Sequence, residues 1–176
     1  MIFRTATRRD LPAVLALLAD EERVVDPASV TVGEAHERAF ADIEADPRNE
    51  VLVLTEEDAL HPEDAPHPQD APHPQDASGA DRAGGTVVGC LQLTYVPGLG
   101  QGGAERALVE AVRIRADLRG CGLGRELMRR AAERARDRGC ALVQLTSNKR
   151  RADAHRFYES LGYARSHEGF KLRLDA

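Results

Sequence analysis

Apolar residues recur along this chain with two different periods, and the switches between them mark out its elements. IFRTAT, residues 2–7, reads as a short strand. Leu11, Val14, Leu15 and Leu18 then fall three and four apart, the spacing of one helical face, with Asp10 placed to cap the helix and Pro12 tolerated in its first turn. A second helix is expected from Thr31, where Thr31 and Glu34 form a capping-box pattern. It would carry Ala35, Ala39, Phe40 and Ile43 and stop before Pro47. EVLVLT (50–55), TVVGCLQLTYV (86–96) and RALVEAVRI (106–114) read as strands, the last apolar on both faces apart from Glu110, as near a sheet centre. Gly122 to Arg138 predicts a helix with Leu123, Leu127, Met128, Ala131 and Ala135 on one face and Gly139 as its C-terminal cap. CALVQLTS (140–147) is a further strand, and Ala152 to Leu161 a short helix ending at Gly162. A closing strand pair is expected around Tyr163–Ser166 and Gly169–Leu174. This order predicts an α/β fold in one domain over residues 1–176, with a mixed central sheet and helices on both faces.

Between the strands ending at 55 and beginning at 86 the periodicity disappears. HPEDAP, HPQDAP and HPQDAS follow one another over residues 61–78, so His61, His67 and His73 recur every six residues. In a polyproline II conformation six residues advance ~19 Å. Zinc ligands lie only ~2 Å from their ion, so an extended repeat cannot gather these imidazoles, and no metal is expected. The stretch reads as a disordered, solvated Pro/His-rich insert at about 56–85. A Pro-rich ligand for an interaction domain is the rival reading.

Composition narrows the function classes. A net charge of −5 gives no support for nucleic-acid binding and mildly favours a cationic or amine partner. Lys149 and Lys171 are the only lysines against abundant arginine, so any single arginine is weak evidence for a phosphate ligand. Cys90, Cys121 and Cys140 are odd in number and form no C-x-x-C pair, which argues against a disulfide framework or zinc site and for reduced thiols in a cytoplasmic protein. LPAVLALLA resembles a short signal core, but a strand precedes it and EER follows without a cleavage signature. No apolar run reaches the ~20 residues of a membrane span.

The densest signal is LRGCGLGREL, residues 118–127, with three glycines in five positions just before a helix. A dinucleotide G-x-G-x-x-G fails, because the third glycine would fall on Arg125 or Leu127. A Walker A loop fails because Arg125 and Glu126 follow Gly124. What remains is a glycine turn exposing unpaired amides at a helix N-terminus, where the dipole favours an anion and Arg119 and Arg125 could add charge-assisted hydrogen bonds. A tight turn with glycines used only for packing is the alternative.

VRIRADLRGCGLGRELMRRAAERARDRG resembles the acetyl-CoA-binding core of the GNAT superfamily of N-acetyltransferases, whose signature Q/R-x-x-G-x-G/A is filled by Arg119, Gly122 and Gly124. HRFYESLGY, 155–163, is similar to that family's F-Y-x-x-x-G-F/Y segment, and the element order from residue 2 to 174 agrees outside the insert. The resemblance implies an acyl-CoA N-acyltransferase-like fold, in which pantetheine lies between a splayed fourth and fifth strand. Main-chain groups of Val112, Arg113 and Ile114 would then meet the cofactor, and the pyrophosphate would rest on amides of Arg119, Gly120, Cys121, Gly122, Leu123, Gly124 and Arg125. The thiol of Cys121 would be incidental. Asn148 would either face the pantetheine or serve as a turn or cap residue.

The implied chemistry is direct transfer of an acetyl group from acetyl-CoA, the donor, to a primary amine in a ternary complex. Such a reaction needs a base for the ammonium, a donor for the oxyanion and an acid for the departing thiolate. Tyr158 matches the family's acid, with a core aromatic role beside Phe157 as the alternative. The Val112 backbone N–H would be the oxyanion donor. Glu110, expected to be buried and to share a face with Val112 and Ile114, is the candidate base or else a structural ion-pair partner; His155 and His167 are further candidates. The acceptor is expected to be a small-molecule amine, with protein N-termini or lysines as the alternative, and its site to be formed by the first two helices and loops around 20–34 and 94–104. No nucleic-acid or membrane partner is expected, and dimers are common in that family, so a homodimer is compatible with it. A non-catalytic CoA-binding sensor or interaction module is the competing class.

Overall fold

The computed structural model describes residues 1–22, 30–56 and 85–174. The HPxDAP repeat and most of the insert therefore lie outside the described residues. In chain order the elements are β1 (Ile2–Thr5), α1 (Leu11–Glu22), α2 (Glu34–Ala45), β2 (Asn49–Glu56), β3 (Thr86–Val96), β4 (Arg106–Ile114), α3 (Leu123–Asp137), β5 (Leu142–Leu145) and α4 (Ala152–Ser160). The strands form one sheet in sequence order, antiparallel from β1 to β4 and parallel between β4 and β5. One face packs on α3 through Leu52, Leu91, Leu93, Val109, Leu127 and Met128. The other packs on α1 and α2 through Val53, Val87, Cys90, Leu11, Val14 and Phe40. A mixed sheet covered by helices on both faces is thus what the apolar periods predict. Among the described residues no helix is long and apolar enough to cross a membrane.

Two helix starts differ from expectation. The chain enters α1 through a 3-10 turn, Arg8–Asp10, so Thr7 occupies the cap and Asp10 is the residue that closes back on it. The Thr7 amide and hydroxyl donate to Asp10 Oδ2 at 2.7 and 3.0 Å, and Arg4 holds both carboxylate oxygens at 2.7 and 2.8 Å. At α2 the cap is Gly33, not Thr31, and the Gly33 amide donates to His36 Nδ1 at 3.2 Å. Phe40 is buried on α2 while Ala35 and Ala39 are exposed.

The C-terminal strand pair does not form. Residues 163–174 run without a ladder, and Phe170, Leu172 and Leu174 are 92%, 87% and 84% exposed. Their alternating side chains reach no core, because β5 offers only four residues to pair along and no strand occupies its outer edge among the described residues.

The last turn of α3 is clamped to the sheet. The hydroxyl of buried Tyr95 donates to Glu50 Oε1 at 2.6 Å, Arg134 lies 3.4 Å from the same carboxylate, and the Arg138 guanidinium sits 4.1 Å over the Tyr95 ring. Burial, then Glu50, holds the Tyr95 phenol above its ordinary value. Gly139, at φ +86°, then ends the helix in a Schellman turn, its amide bonding to Arg136 and that of Cys140 to Ala135.

The Asp10 cluster makes a pH-dependent contribution to stability. Burial pushes the carboxyl up, but hydrogen bonds from Arg4 and Thr7 outweigh it and leave the group below its ordinary value. A depressed carboxylate stabilises above its unfolded pKa, and that share is lost as pH falls through the folded value. Asp10→Ala is expected to lower urea-unfolding stability by about 2 kcal/mol at pH 7, the gap from wild type narrowing below about pH 4. A gap that stays constant down to pH 2 would contradict this assignment.

Candidate active site

β4 and β5 are paired only from Arg106↔Leu142 to Val109↔Leu145. Beyond Val109 the two strands separate, and β4 continues along β3 alone. The break coincides with a bulge. Gln92 lies opposite Glu110 and Cys90 opposite Arg113, so Ala111 and Val112 together face the single residue Leu91. Ala111 takes φ +55°, a left-handed conformation rare for a residue with a side chain.

The extra residue inverts the alternation of β4. Ala107 and Val109 belong to the α3 face, and Val112 and Ile114 pack against that same cluster although Val112 is three residues beyond Val109. Glu110 therefore does not share a face with Val112 and Ile114, and it is exposed rather than buried. Period-two reasoning fails here because the bulge adds one residue.

Of the three residues expected to offer main-chain groups here, Val112 and Ile114 border the open edge of β4, whereas Arg113 pairs with Cys90 of β3. Arg115 N–H donates to Val88 C=O at 2.9 Å, which directs the Arg113 backbone toward β3 and the Ile114 backbone toward the gap. The Ile114 carbonyl accepts from Arg119 Nε at 3.1 Å, and the Val112 carbonyl from Arg113 at 2.8 Å.

At the end of this edge the chain turns through Ala116–Leu118 and reaches the glycine loop. Gly120 and Gly122 take φ +83° and +84°, and a Cβ on either would meet nothing within 4 Å, so they serve the backbone turn and leave the loop open on that side. Gly124 serves packing instead. A Cβ there would meet Phe157 at 3.3 Å and Ile114 at 3.8 Å, so this glycine lets α3, α4 and β4 close together. Gly122 is the N-cap of α3, and the first bond within the helix runs from Glu126 N–H to Gly122 C=O at 3.1 Å. The preceding amides of Leu123, Gly124 and Arg125 have no carbonyl inside the helix to pair with and point out of its N-terminus, an arrangement suited to a phosphate. The Arg125 side chain reaches α4, 3.2 Å from Ser160 Oγ, and exposed Cys121 lies 3.9 Å from the Arg119 carbonyl.

Tyr158 is half-buried on α4, its ring 5.2 Å from Phe157 and 6.0 Å from Tyr163. The turn after the helix fixes it: the Tyr163 amide bonds to the Tyr158 carbonyl at 3.1 Å, with Gly162 at φ +89°. Val112, Ile114, Leu123, Phe157, Tyr158 and Tyr163 pack on one cluster, which brings the β4 edge, the start of α3 and α4 together. Burial, then the neighbouring Tyr158, raises the Tyr163 phenol. Asn148 acts as a turn residue, its Oδ1 accepting from Arg150 N–H at 2.9 Å ahead of α4. His155 is half-buried on α4, and His167 Nδ1 lies 2.8 Å from Ser166 Oγ in the exposed C-terminal segment. Among the described residues no group of His, Cys, Asp and Glu is assembled to hold a metal ion.

Residues 39–163 match the model of the acetyltransferase (GNAT) family. This chain belongs to that family. Two curated relatives are an aminoalkylphosphonate N-acetyltransferase of Salmonella typhimurium, 44% identical over 57 residues, and a glucosamine 6-phosphate N-acetyltransferase of Trypanosoma brucei brucei, 36% identical over 91 residues. These alignments take in 32% and 52% of this chain, and the chain spans 37% and 58% of the relatives' own lengths. A solved structure of a transcriptional regulator from Bacillus halodurans superposes with a TM-score of 0.76 at 35% identity, covering 98% of this chain and 99% of that one.

The loop geometry separates charge from strain. Gly122→Asp puts a carboxylate among the first-turn amides, and Gly139→Asp puts the same side chain at a comparable positive φ at the far end of α3, where a Cβ also meets nothing. Calorimetry is expected to show acetyl-CoA affinity falling about tenfold or more in Gly122→Asp and unchanged in Gly139→Asp. Equal losses would mean that the glycine loop acts only through folding.

Proposed function

We propose that the chain is an acetyl-CoA-dependent N-acetyltransferase acting on a primary amine of a small molecule by direct attack in a ternary complex. The observation that carries this reading is the gap opened between β4 and β5 beyond Val109, which leads to the N-terminus of α3. Its shape suits a thread-like ligand ending in a pyrophosphate: main-chain groups of Val112 and Ile114 border the thread, and the amides of residues 120–125 receive the charge. The family and the names of both curated relatives, each an N-acetyltransferase for a small amine, support the same chemistry.

When bound, acetyl-CoA supplies an activated acetyl thioester. Glu110, exposed at the edge of the bulge on the α1/α2 side of the sheet, takes a proton from the acceptor ammonium directly or through water, freeing its lone pair. The Val112 N–H donates to the oxyanion that develops as the amine attacks. Tyr158 gives its hydroxyl proton to the departing thiolate, and the Phe157 and Tyr163 rings hold it against the core. No covalent enzyme intermediate is required. The acceptor side is formed by α1, α2 and the 94–104 loop; much of the 20–34 loop expected there lies outside the described residues.

A non-catalytic CoA-binding role is the second reading, favoured by the likeness to a protein described as a transcriptional regulator. An amine panel assayed by release of the CoA thiol separates the two. Tyr158→Phe is expected to lower kcat by about a hundredfold while acetyl-CoA affinity stays within about twofold. Acetyl-CoA binding with no turnover of any amine would favour the non-catalytic reading. Glu110→Gln is expected to slow turnover without weakening acetyl-CoA binding; unchanged turnover would move the base to His155 or His167.

A further inference from the structure

We propose that Cys90 is a positioning residue for acetyl transfer: its thiol holds the Ala111 carbonyl and thereby aims the Val112 N–H into the gap between β4 and β5. The catalytic part of this inference rests on the transferase reading; the structural part stands without it.

Cys90 is 1% exposed, and its Sγ lies 3.7 Å from the carbonyl oxygen of Ala111. Burial pushes the thiol up to about 12 against the opposing charge of Arg113, so at neutral pH it keeps its proton and can donate it. The acceptor is the carbonyl of the left-handed residue in the bulge. Where two residues of β4 face one of β3, a carbonyl turned out of the ladder needs another donor, because a buried acceptor left without one is costly. Cys90 is on the adjoining strand, one position from the break in register, and supplies that donor.

The consequence follows from peptide geometry. The Ala111 C=O and the Val112 N–H belong to one planar trans unit and point in opposite directions. A bond that pins the carbonyl toward Cys90 therefore turns the amide away from it. The thiol touches no reacting atom, and being buried and protonated it is no nucleophile. Its effect passes entirely through the orientation of one peptide.

Cys90→Val keeps the bulk and removes the donor, and a cavity of about 170 Å³ bordered by Cys90, Ala111, Val14 and Phe40 can take the added methyl. Cys90→Ala is the second variant should valine prevent folding, and Cys90→Ser keeps a donor. In labelled free protein, the Ala111 carbonyl carbon is expected to move upfield and the Val112 amide resonance to shift in the Val and Ala variants, with Ser close to wild type. In turnover, kcat is expected to fall about tenfold in Val and Ala, with acetyl-CoA affinity within about threefold and most of the rate restored by Ser. Unchanged Ala111 and Val112 resonances in the Val and Ala variants, or a Ser variant as impaired as Val, would overturn the proposal. A wild-type protein that turns over no amine would remove the transferase reading alone, since the resonances still decide the role of Cys90.

Discussion

Ala111 sits in a left-handed conformation that costs a residue with a side chain roughly 1–2 kcal/mol, and the arrangement of the whole site depends on its staying there. The extra residue puts Val112 and Ile114 on the face that already holds Ala107 and Val109, so the far half of β4 remains anchored in the α3 core. The parallel ladder with β5 stops at Val109, and the bulge follows within two residues. Strain at one residue is thus exchanged for an accessible row of main-chain groups between two neighbouring strands of the sheet.

α3 supplies the other half of the site, and its two ends are treated differently. The C-terminal turn is fixed by the Tyr95, Glu50, Arg134 and Arg138 cluster and by Arg138 bonding to Glu105 and the Pro47 carbonyl. The N-terminal turn is left with open amides, and Gly124 lets it settle against Phe157 and Ile114. A helix held firmly at one end can present an uncapped N-terminus at the other, which is the property a phosphate needs. The same contact ties α4, and with it Tyr158, to the strand where the acetyl group would lie. Binding and chemistry therefore share one set of packing contacts.

Much of this was legible in the sequence, for identifiable reasons. β3 and β4 occupy the residues their apolar runs predict, because both strands are covered on two faces and read as continuous apolar runs bounded by turns. α3 and its caps were legible because amphipathic period and glycine punctuation agree there. The bulge was not. Alanine at 111 carries no mark of a positive φ, and the extra residue appears only when β3 and β4 are laid side by side. The misplacement of Glu110 follows from that single omission, and Cys90 likewise reads as an ordinary buried thiol until its neighbour across the ladder is known. The helix caps fall at Thr7 and Gly33 with Arg4 holding the Asp10 carboxylate and His36 accepting from the Gly33 amide, contacts that short sequence patterns do not weigh. The alternating Phe170, Leu172 and Leu174 have strand character without a strand to pair with, so periodicity alone overstated that end of the sheet.

Diffraction from crystals grown with acetyl-CoA would test the central claim most directly. The expected result is density for the pantetheine arm in the gap beside Val112 and Ile114, with the pyrophosphate on the amides of residues 120–125 and the thioester carbonyl within hydrogen-bonding distance of the Val112 N–H. Acetyl-CoA bound elsewhere on the molecule, or a gap that stays empty at saturating ligand, would contradict it.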